Sequence, residues 1–272
     1  MNNEIHFISG LPRAGSTLLS ALLKQNPRFR AGMTGPVGSL VEAMLKAMSM
    51  AIETSVFIDN EQREAVLRGI FETFHGGLPA GHVSFDTNRH WCARLALLAK
   101  LYPEARVICC VRDVASIVNS IERLVDANPL EPSGMFGFDP SGSVYTRADA
   151  LGAGNGMIGS AFNALRQAFY GPYSDRLLIV TYETLTSDTP RALAEIYNFL
   201  GHEPFKHDLS NIAFDATEFD RRLGTPGLHR VDREIRPASS QKSMLPPELM
   251  QKYAADNFWR DAAANANQVR VI

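Results

Sequence analysis

A glycine-rich loop near the start of the chain carries the residues best suited to chemistry. Gly10 and Gly15 bracket the loop, and Ser16 and Thr17 follow it, in the spacing Gly-x-x-x-x-Gly-Ser-Thr. A P-loop has this spacing, but Ser16 stands where nucleoside triphosphatases have a lysine that serves the β- and γ-phosphates. The loop is therefore predicted to hold a 5′-phosphate while being poorly equipped to transfer it. A cation remains at Arg13, which we expect, with Thr17, beside the group attached to that phosphate.

The sequence on either side of the loop predicts the elements that position it. Ile5, Phe7 and Ile8 are typical of a short buried strand, and the leucines within 18–23 have helical spacing. A strand, a glycine loop and a helix together direct backbone N–H groups and the positive end of the helix dipole at an anion. The alternative is an ordinary strand, turn and helix with an accidental match to the pattern.

A second anion site is predicted after the apolar run at 105–111. That run is typical of a buried strand, and it brings Arg112 to the strand's carboxyl end. A helix predicted over 114–124 places Ser116 and Ser120 about one turn apart on one face. The planar guanidinium of Arg112 and the hydroxyl of Ser120 could together hold a second phosphate. The alternative is a structural ion pair at the edge of the sheet.

Polar residues also follow the strand predicted at 82–86. The cluster at 86–91 contains Asp86 and His90, and ligands of parallel sheets bind beyond the carboxyl ends of the strands. The alternative is a helix N-cap made by Asp86 or Asn88, with solvated charges around it. Another buried strand, predicted at 176–182, ends at Tyr182.

The alternation of strands and helices predicts an α/β fold, a three-layer α/β/α domain of the P-loop type with a central parallel sheet of four to five strands. The 272 residues suit one large α/β domain or two small ones, and a single domain over 1–272 is predicted. The Gly-, Pro- and Ser-rich stretch 128–156 is long for a connection and is predicted to be a lid or an insert. The segment 224–240 is predicted to form a C-terminal flap that closes over an anion; the alternative is an exposed basic loop.

Composition argues against several classes of protein. The net charge of -2 does not indicate a polyanion-binding surface, so no nucleic-acid partner is expected. No run of about 18 apolar residues predicts a membrane span, and the N-terminus does not have the pattern of a signal peptide. Cys92, Cys109 and Cys110 are interpreted as core thiols, because cysteine and histidine show no metal-ligand spacing. These thiols favour a reducing, cytoplasmic location.

Together the motifs resemble those of sulfotransferases that use 3′-phosphoadenosine 5′-phosphosulfate, and the chain is identified as a bacterial-type member. The loop at 11–17 resembles that family's 5′-phosphosulfate loop, and 111–120 resembles its 3′-phosphate motif. The stretch 180–185 resembles its strand ending in Tyr-Glu. The P-loop region is most similar to the tyrosylprotein sulfotransferase branch.

The resemblance implies a role for individual residues at each end of the nucleotide. The residues implied at the 5′-phosphosulfate are Pro12, Arg13, Ala14, Gly15, Ser16 and Thr17. Arg112 and Ser120 would hold the 3′-phosphate, and Tyr182 would contact the adenine. The flap, with His229 and Arg230, would cover the 3′-phosphate.

The resemblance also implies a reaction. A sulfuryl group would move to a hydroxyl acceptor, which could be a metabolite, a lipid, a phenol or a peptide tyrosine. Arg13 would stabilise the charge on the leaving phosphate, so no metal is required. The acceptor needs a general base, but the acidic base of the tyrosylprotein branch has no counterpart here, so the candidates are Asp86 and His90, then Glu42. Competing functions are a P-loop nucleotide or small-molecule kinase and a non-catalytic nucleotide-binding protein.

Overall fold

The computed structural model describes residues 4–235, 243–254 and 257–272. The strands in these ranges are β1 (Glu4–Gly10), β2 (Phe29–Arg30), β3 (Val83–Thr87), β4 (Val107–Val111), β5 (Leu177–Thr181) and β6 (Arg270–Val271). They form one parallel sheet in the order β2-β3-β1-β4-β5-β6. The prediction of an α/β fold with a central parallel sheet is confirmed, but its strand count of four to five was too low. The edge strands β2 and β6 have two residues each, which is too short for any periodicity to reveal.

Helices fill most of the connections between the strands. They are α1 (Ser16–Leu23), α2 (Val37–Ala47), α3 (Asn60–His75), α4 (Leu95–Leu101), α5 (Val114–Ala127), α6 (Val144–Gly152), α7 (Met157–Tyr170), α8 (Tyr182–Ser187), α9 (Thr189–Leu200), α10 (Thr217–Arg222) and α11 (Pro247–Ala254). Every residue of β3 and β4 is buried, so both faces of the sheet are covered, as in other parallel sheets. No helix in the described ranges has the length and apolarity needed to cross a lipid bilayer.

The centre of the sheet is closely packed where the glycine loop begins. Gly10, the last residue of β1, has a φ of +120°, and a Cβ at this position would lie 2.0 Å from the carbonyl oxygen of Cys110. Only glycine combines this backbone conformation with such a close approach to the next strand. Cys92, Cys109 and Cys110 are free and buried, as expected of core thiols.

The stretch 128–156 contains more regular structure than its composition indicates. A 3-10 turn spans Gly134–Phe136, and α6 begins with a capping box between Ser143 and Thr146. Arg147 of α6 pairs with the buried carboxylate of Glu122 on α5, with its Nε 3.0 Å from Oε1. The stretch is thus anchored to the domain, and its role as a lid or insert stays a prediction. Of the predicted flap, 236–240 lies outside the described residues.

Candidate active site

The glycine loop presents the start of α1 to a cavity. Gly15 has a φ of +95° and immediately precedes the helix. In the described structure, α1 has no side-chain cap at its N-terminus, so its first N–H groups are available to a ligand. A cavity of about 210 Å³ lies in front of them. Its lining includes residues at the carboxyl ends of β1, β3, β4 and β5, where ligands of parallel sheets bind.

Most of the predicted binding residues line this cavity. They are Pro12, Arg13, Gly15, Ser16, Thr17, Arg112, Tyr182, His229 and Arg230. Two predicted residues do not line it. Ala14 is buried in the core, and the hydroxyl of Ser120 is instead in contact with Arg13.

Arg13 is the cation at the crown of the loop, and it connects three segments. It has a positive φ of 57°, which is uncommon for a residue with a side chain. Its Nε donates a hydrogen bond to Oγ of Ser120 on α5, at 3.2 Å. Its Nη1 donates to the carbonyl oxygen of Leu228 in the flap. Burial, followed by the nearby charge of Arg112, lowers the pKa of Arg13.

Arg112 and Tyr182 form the next wall of the cavity. Arg112 follows β4, and its guanidinium carbon lies 4.1 Å from the ring centroid of Tyr182, a cation–π contact. Arg112 Nη1 also donates to the carbonyl oxygen of Arg13, at 3.3 Å. Tyr182 begins α8 directly after β5 and lies against Gly15, where a Cβ would come within 3.1 Å of its ring. The predicted phosphate and adenine residues therefore share one wall.

Arg89 adds a fourth guanidinium to the cavity lining, beside those of Arg13, Arg112 and Arg230, and the sequence did not predict it as a binding residue. It lies just after the carboxyl end of β3, and its carbonyl oxygen accepts a hydrogen bond from Oγ of Ser9, at 3.0 Å. Burial lowers its pKa. The sequence did place Arg89 in the polar cluster at 86–91. Only Asp86 and His90 of that cluster were predicted to be functional, because they could act as a base.

The flap contributes an imidazole to the same cavity. His229 Nδ1 lies 2.6 Å from Oδ1 of Asp220, and the His229 backbone N–H donates to Oδ2 at 2.9 Å. Burial lowers the pKa of His229 and Asp220 opposes that change, while Arg13 and Arg89 lower the pKa further. Sequence reasoning found His229 but missed Asp220, because Asp220 lies in α10, outside the segment predicted as the flap.

The sequence predicted Asp86 to be a catalytic base, but Asp86 does not line this cavity. It is 3% exposed, and its Oδ2 accepts a hydrogen bond from His75 Nε2 at 2.7 Å. Its Oδ1 accepts one from Trp91 Nε1 at 2.8 Å. Both carboxylate oxygens are thus occupied in the interior, and the geometry corrects the prediction that Asp86 receives a proton from a substrate here.

The remaining base candidates line a second cavity, of about 570 Å³. His90 and Glu42 both belong to it, and neither belongs to the lining of the loop cavity. His90 Nε2 lies 3.3 Å from Oγ of Ser160. Burial is the main cause that lowers the pKa of His90. The structure does not bring either candidate into the cavity that holds the glycine loop.

Comparison with known proteins relates this arrangement to one family. The model of the Sulfotransferase family matches residues 6–207 of the chain. Protein-tyrosine sulfotransferase 1 of Danio rerio is 28% identical over 202 residues, which cover 71% of this chain and 52% of that protein. Its counterpart in Rattus norvegicus is 28% identical over 127 residues, covering 44% of this chain and 34% of that protein. The chain thus spans about half or less of the length of these curated relatives.

Solved structures share the fold. The sulfotransferase from Alicyclobacillus acidocaldarius aligns with a TM-score of 0.52 and 13% identity, over 94% of this chain and 93% of that one. Mouse sulfotransferase SULT7A1, complexed with PAP, aligns with a TM-score of 0.50 and 16% identity, over 88% of this chain and 80% of that one. At these identities the similarity demonstrates a common fold.

Proposed function

The chain belongs to the sulfotransferase family, and from that premise we propose that it transfers a sulfuryl group from 3′-phosphoadenosine 5′-phosphosulfate to a hydroxyl acceptor. The family predicted from the motifs is confirmed, whereas a bacterial origin stays a prediction. One observation carries the proposal: a P-loop-spaced loop with Ser16 in place of the lysine opens into a cavity lined by Arg13 and Arg112. Such a loop suits the binding of a phosphate whose negative charge is balanced by arginines in place of the P-loop lysine.

The residues present fit a donor with phosphate groups at two positions. The uncapped start of α1 offers N–H groups to one of them. The guanidinium of Arg112, which also lines the cavity, can hold the other phosphate, and Ser120 lies next to it through its contact with Arg13. Tyr182 offers an aromatic surface for an adenine ring. The PAP in the structure of the mouse relative supports the choice of this nucleotide.

The chain's own residues provide the electrostatic part of the reaction. The bound donor supplies a sulfuryl group whose leaving group is a phosphate. Arg13 and the N–H groups at the start of α1 stabilise the negative charge that develops on that phosphate. Arg13 is half-buried, so water screens its charge less than it would at the open surface. Thr17 lines the same cavity and assists by donating from its hydroxyl. Because fixed positive charge is already in place, we propose that transfer requires no metal.

The acceptor is proposed to be a hydroxyl compound: a metabolite, a lipid, a phenol or a peptide tyrosine. Similarity to protein-tyrosine sulfotransferase 1 adds weight to the tyrosine among these, although the similarity covers 52% of the zebrafish protein. No nucleic-acid partner is proposed, in keeping with the net charge of -2. A cytoplasmic location is proposed from the three free, buried cysteines.

Calorimetric binding without magnesium tests the donor. We expect adenosine 3′,5′-bisphosphate to bind much more tightly than AMP or ATP. Arg112→Ala should weaken bisphosphate binding by about 1.5–3 kcal/mol, the range for a hydrogen bond to a charged group. Arg191→Ala, which removes an exposed arginine on α9, is the matched control and should bind as the unaltered protein does.

The alternatives give different results in the same experiment. Preference for ATP, with magnesium-dependent phosphate transfer, would establish a kinase and overturn the proposal. Tight binding of the bisphosphate without transfer from the sulfated donor to any acceptor would establish a non-catalytic binding protein.

A further inference from the structure

His229 lines the loop cavity, and the buried carboxylate of Asp220 holds it from behind without a role in donor chemistry. We propose that His229 is the general base that accepts the proton of the acceptor hydroxyl, and that Asp220 is the positioning residue that orients it. This inference rests on the proposed function, because it concerns the second substrate of the same reaction. It assigns His229 a role different from the nucleotide contact that the sequence predicted.

The geometry of the pair fixes the imidazole. One carboxylate oxygen of Asp220 lies 2.6 Å from Nδ1 of His229, and the other accepts the backbone N–H of the same residue at 2.9 Å. Asp220 is 3% exposed, so this anchor is rigid and shielded from water. Nδ1 donates its proton to the carboxylate, which leaves the lone pair on Nε2. In the described ranges no hydrogen bond to that nitrogen is found, and it is the atom left to meet a substrate.

A second contact places the imidazole beside the reacting groups. Arg13, which stabilises the leaving phosphate, donates a hydrogen bond to the carbonyl oxygen of Leu228. Leu228 directly precedes His229, so the flap and the glycine loop are connected at the residue next to the base. His229 and Arg13 line the same cavity, and the His229 side chain is 20% exposed. A hydroxyl compound entering this cavity thus meets a base and a leaving-group cation together.

Burial and two neighbouring arginines lower the pKa of His229, which favours the neutral form that a base requires. Asp220 on α10, Arg13 on the loop and Arg89 after β3 act on it. Burial is the largest cause that lowers its pKa, and both arginines add to the effect, against the opposing carboxylate. The lowered pKa favours the neutral imidazole, which can accept a proton.

Other carboxylates in the lining are less suitable. Asp232 and Glu234 also line the cavity, but both are exposed to solvent. Asp232 lies 3.3 Å from Arg230, with which it forms a surface ion pair. Neither carboxylate is held in one orientation by a buried partner in the described structure, as His229 is held by Asp220.

The proposed step forms one sulfur–oxygen bond and breaks another. The acceptor oxygen forms a bond to sulfur as its proton passes to Nε2 of His229. The sulfur–oxygen bond to the nucleotide phosphate breaks, and its electron pair stays on that phosphate. The products are a sulfate ester, adenosine 3′,5′-bisphosphate and an imidazolium that Asp220 stabilises until the proton is lost to water.

The test uses the full chain with His229→Gln, Asp220→Asn and the control His82→Gln, which alters a half-buried histidine just before β3 and outside the lining of the loop cavity. Turnover is the release of adenosine 3′,5′-bisphosphate from the sulfated donor with 2-naphthol as the probe acceptor, and with water alone. We expect His229→Gln to bind the bisphosphate within about threefold of the unaltered protein while turnover falls by about 10²–10⁴-fold, the range for general-base catalysis. Added imidazole should partly restore turnover in His229→Ala. His82→Gln should retain both properties.

A readout independent of turnover examines the pair itself. In an NMR titration of the histidine ring carbons, His229 should have a pKa below the ordinary value of 6.5. Asp220→Asn should lower that pKa further, because the carboxylate that raises it is gone, and the acid limb of the pH–rate profile should move in the same direction. A His229 ring protonated at pH 7.5 would contradict the assignment.

The outcomes separate this inference from the proposed function. If the unaltered protein is active and His229→Gln retains its turnover, His229 is not the base, although the sulfotransferase proposal stands. If His229→Gln loses bisphosphate binding in proportion to turnover, the residue binds the nucleotide and the inference fails. If the unaltered protein binds the bisphosphate but transfers the sulfuryl group to none of the four proposed classes of acceptor, both proposals fail.

Discussion

Arg13 donates a hydrogen bond from Nε to Oγ of Ser120, at 3.2 Å. Sequence resemblance assigns Arg13 to the 5′-phosphosulfate and Ser120 to the 3′-phosphate, so residues implied at opposite ends of the nucleotide are in direct contact. Arg13 also donates to the carbonyl oxygen of Leu228. The two phosphate sites and the flap therefore share one side chain, and a change at either site should be felt at the other.

This contact predicts that Arg13 and Ser120 are energetically coupled in nucleotide binding. Arg13→Ala and Ser120→Ala should each weaken binding of adenosine 3′,5′-bisphosphate. The double variant should lose less than the sum, with a coupling energy of about 0.5–3 kcal/mol, as for residues in one hydrogen-bond network. Calorimetry on the four proteins measures the coupling, and AMP provides the comparison without a 3′-phosphate. Strictly additive losses would show that the two residues act independently.

The contact between Arg112 and Tyr182 predicts a role for the aromatic ring rather than for its hydroxyl. The guanidinium carbon lies 4.1 Å from the ring centroid. Tyr182→Ala should weaken bisphosphate binding by about 1–3 kcal/mol, the range for stacking of one base on an aromatic side chain. Tyr182→Phe keeps the ring and is the matched control, expected to bind nearly as the unaltered protein does. Equal losses in both variants would assign the effect to the hydroxyl and contradict the stacking interpretation.

Asp86 is predicted to be a stability residue. Its two oxygens accept hydrogen bonds from His75 and Trp91 in the interior. Asp86→Ala leaves those buried donors without a partner and should lower the free energy of unfolding by about 3–5 kcal/mol. Urea denaturation measures this loss, and bisphosphate binding at low temperature should persist. A variant with unaltered stability and no turnover would return Asp86 to the list of catalytic bases.

The sequence was sufficient for the elements whose chemistry is local. The loop between Gly10 and Gly15 has its own spacing pattern, and the buried strand that precedes Arg112 is a continuous apolar run. Both signals depend on residues adjacent in the chain. The strand count was underestimated because β2 and β6 form by pairing with longer neighbours, and such tertiary pairing leaves no periodicity in two residues.

The proposed catalytic base could not be read from the chain because its environment is made by distant segments. Asp86 and Arg89 lie three positions apart, yet Asp86 is buried in the interior while Arg89 lines the cavity. His229 gains its orientation from Asp220, nine positions earlier, and its neighbouring charges from Arg13 and Arg89. The spacing of residues along the chain predicts the helix or strand to which each belongs. The partner of a side chain depends instead on how those helices and strands pack together.

Substitution is predicted to destabilise the protein at both Gly10 and Gly201, but for different reasons. A Cβ at Gly10 would lie 2.0 Å from the backbone oxygen of Cys110, whereas a Cβ at Gly201 would have no atom within 4 Å. Both glycines have positive φ, 120° and 78°. Gly201→Ala should therefore cost about 1–2 kcal/mol of stability, from backbone strain alone. Gly10→Ala should cost more, because the central strands must also separate.

Urea denaturation of the two glycine variants makes the comparison, with Gly69→Ala as a control on the solvent side of α3, where a Cβ meets no atom within 4 Å. That control should be neutral or slightly stabilising, because alanine favours helices. If Gly10→Ala is no less stable than Gly201→Ala, the close approach of β1 to β4 is not what requires glycine at position 10.

Stability is predicted to fall as the solution becomes mildly acidic. Burial lowers the pKa of His90, His207 and His229 below the ordinary value of 6.5. Between that value and their lower folded values, the unfolded chain binds protons that the folded protein does not. The free energy of unfolding therefore rises with pH through this window. The stability that the three histidines contribute is complete above pH 6.5 and is lost as the pH falls below that value. Urea midpoints should be lower at about pH 5.5 than at about pH 7.5, with His207→Gln reducing the difference. A midpoint that rises on acidification would mean that these three imidazoles gain protons on folding, which is incompatible with burial as the dominant influence on them.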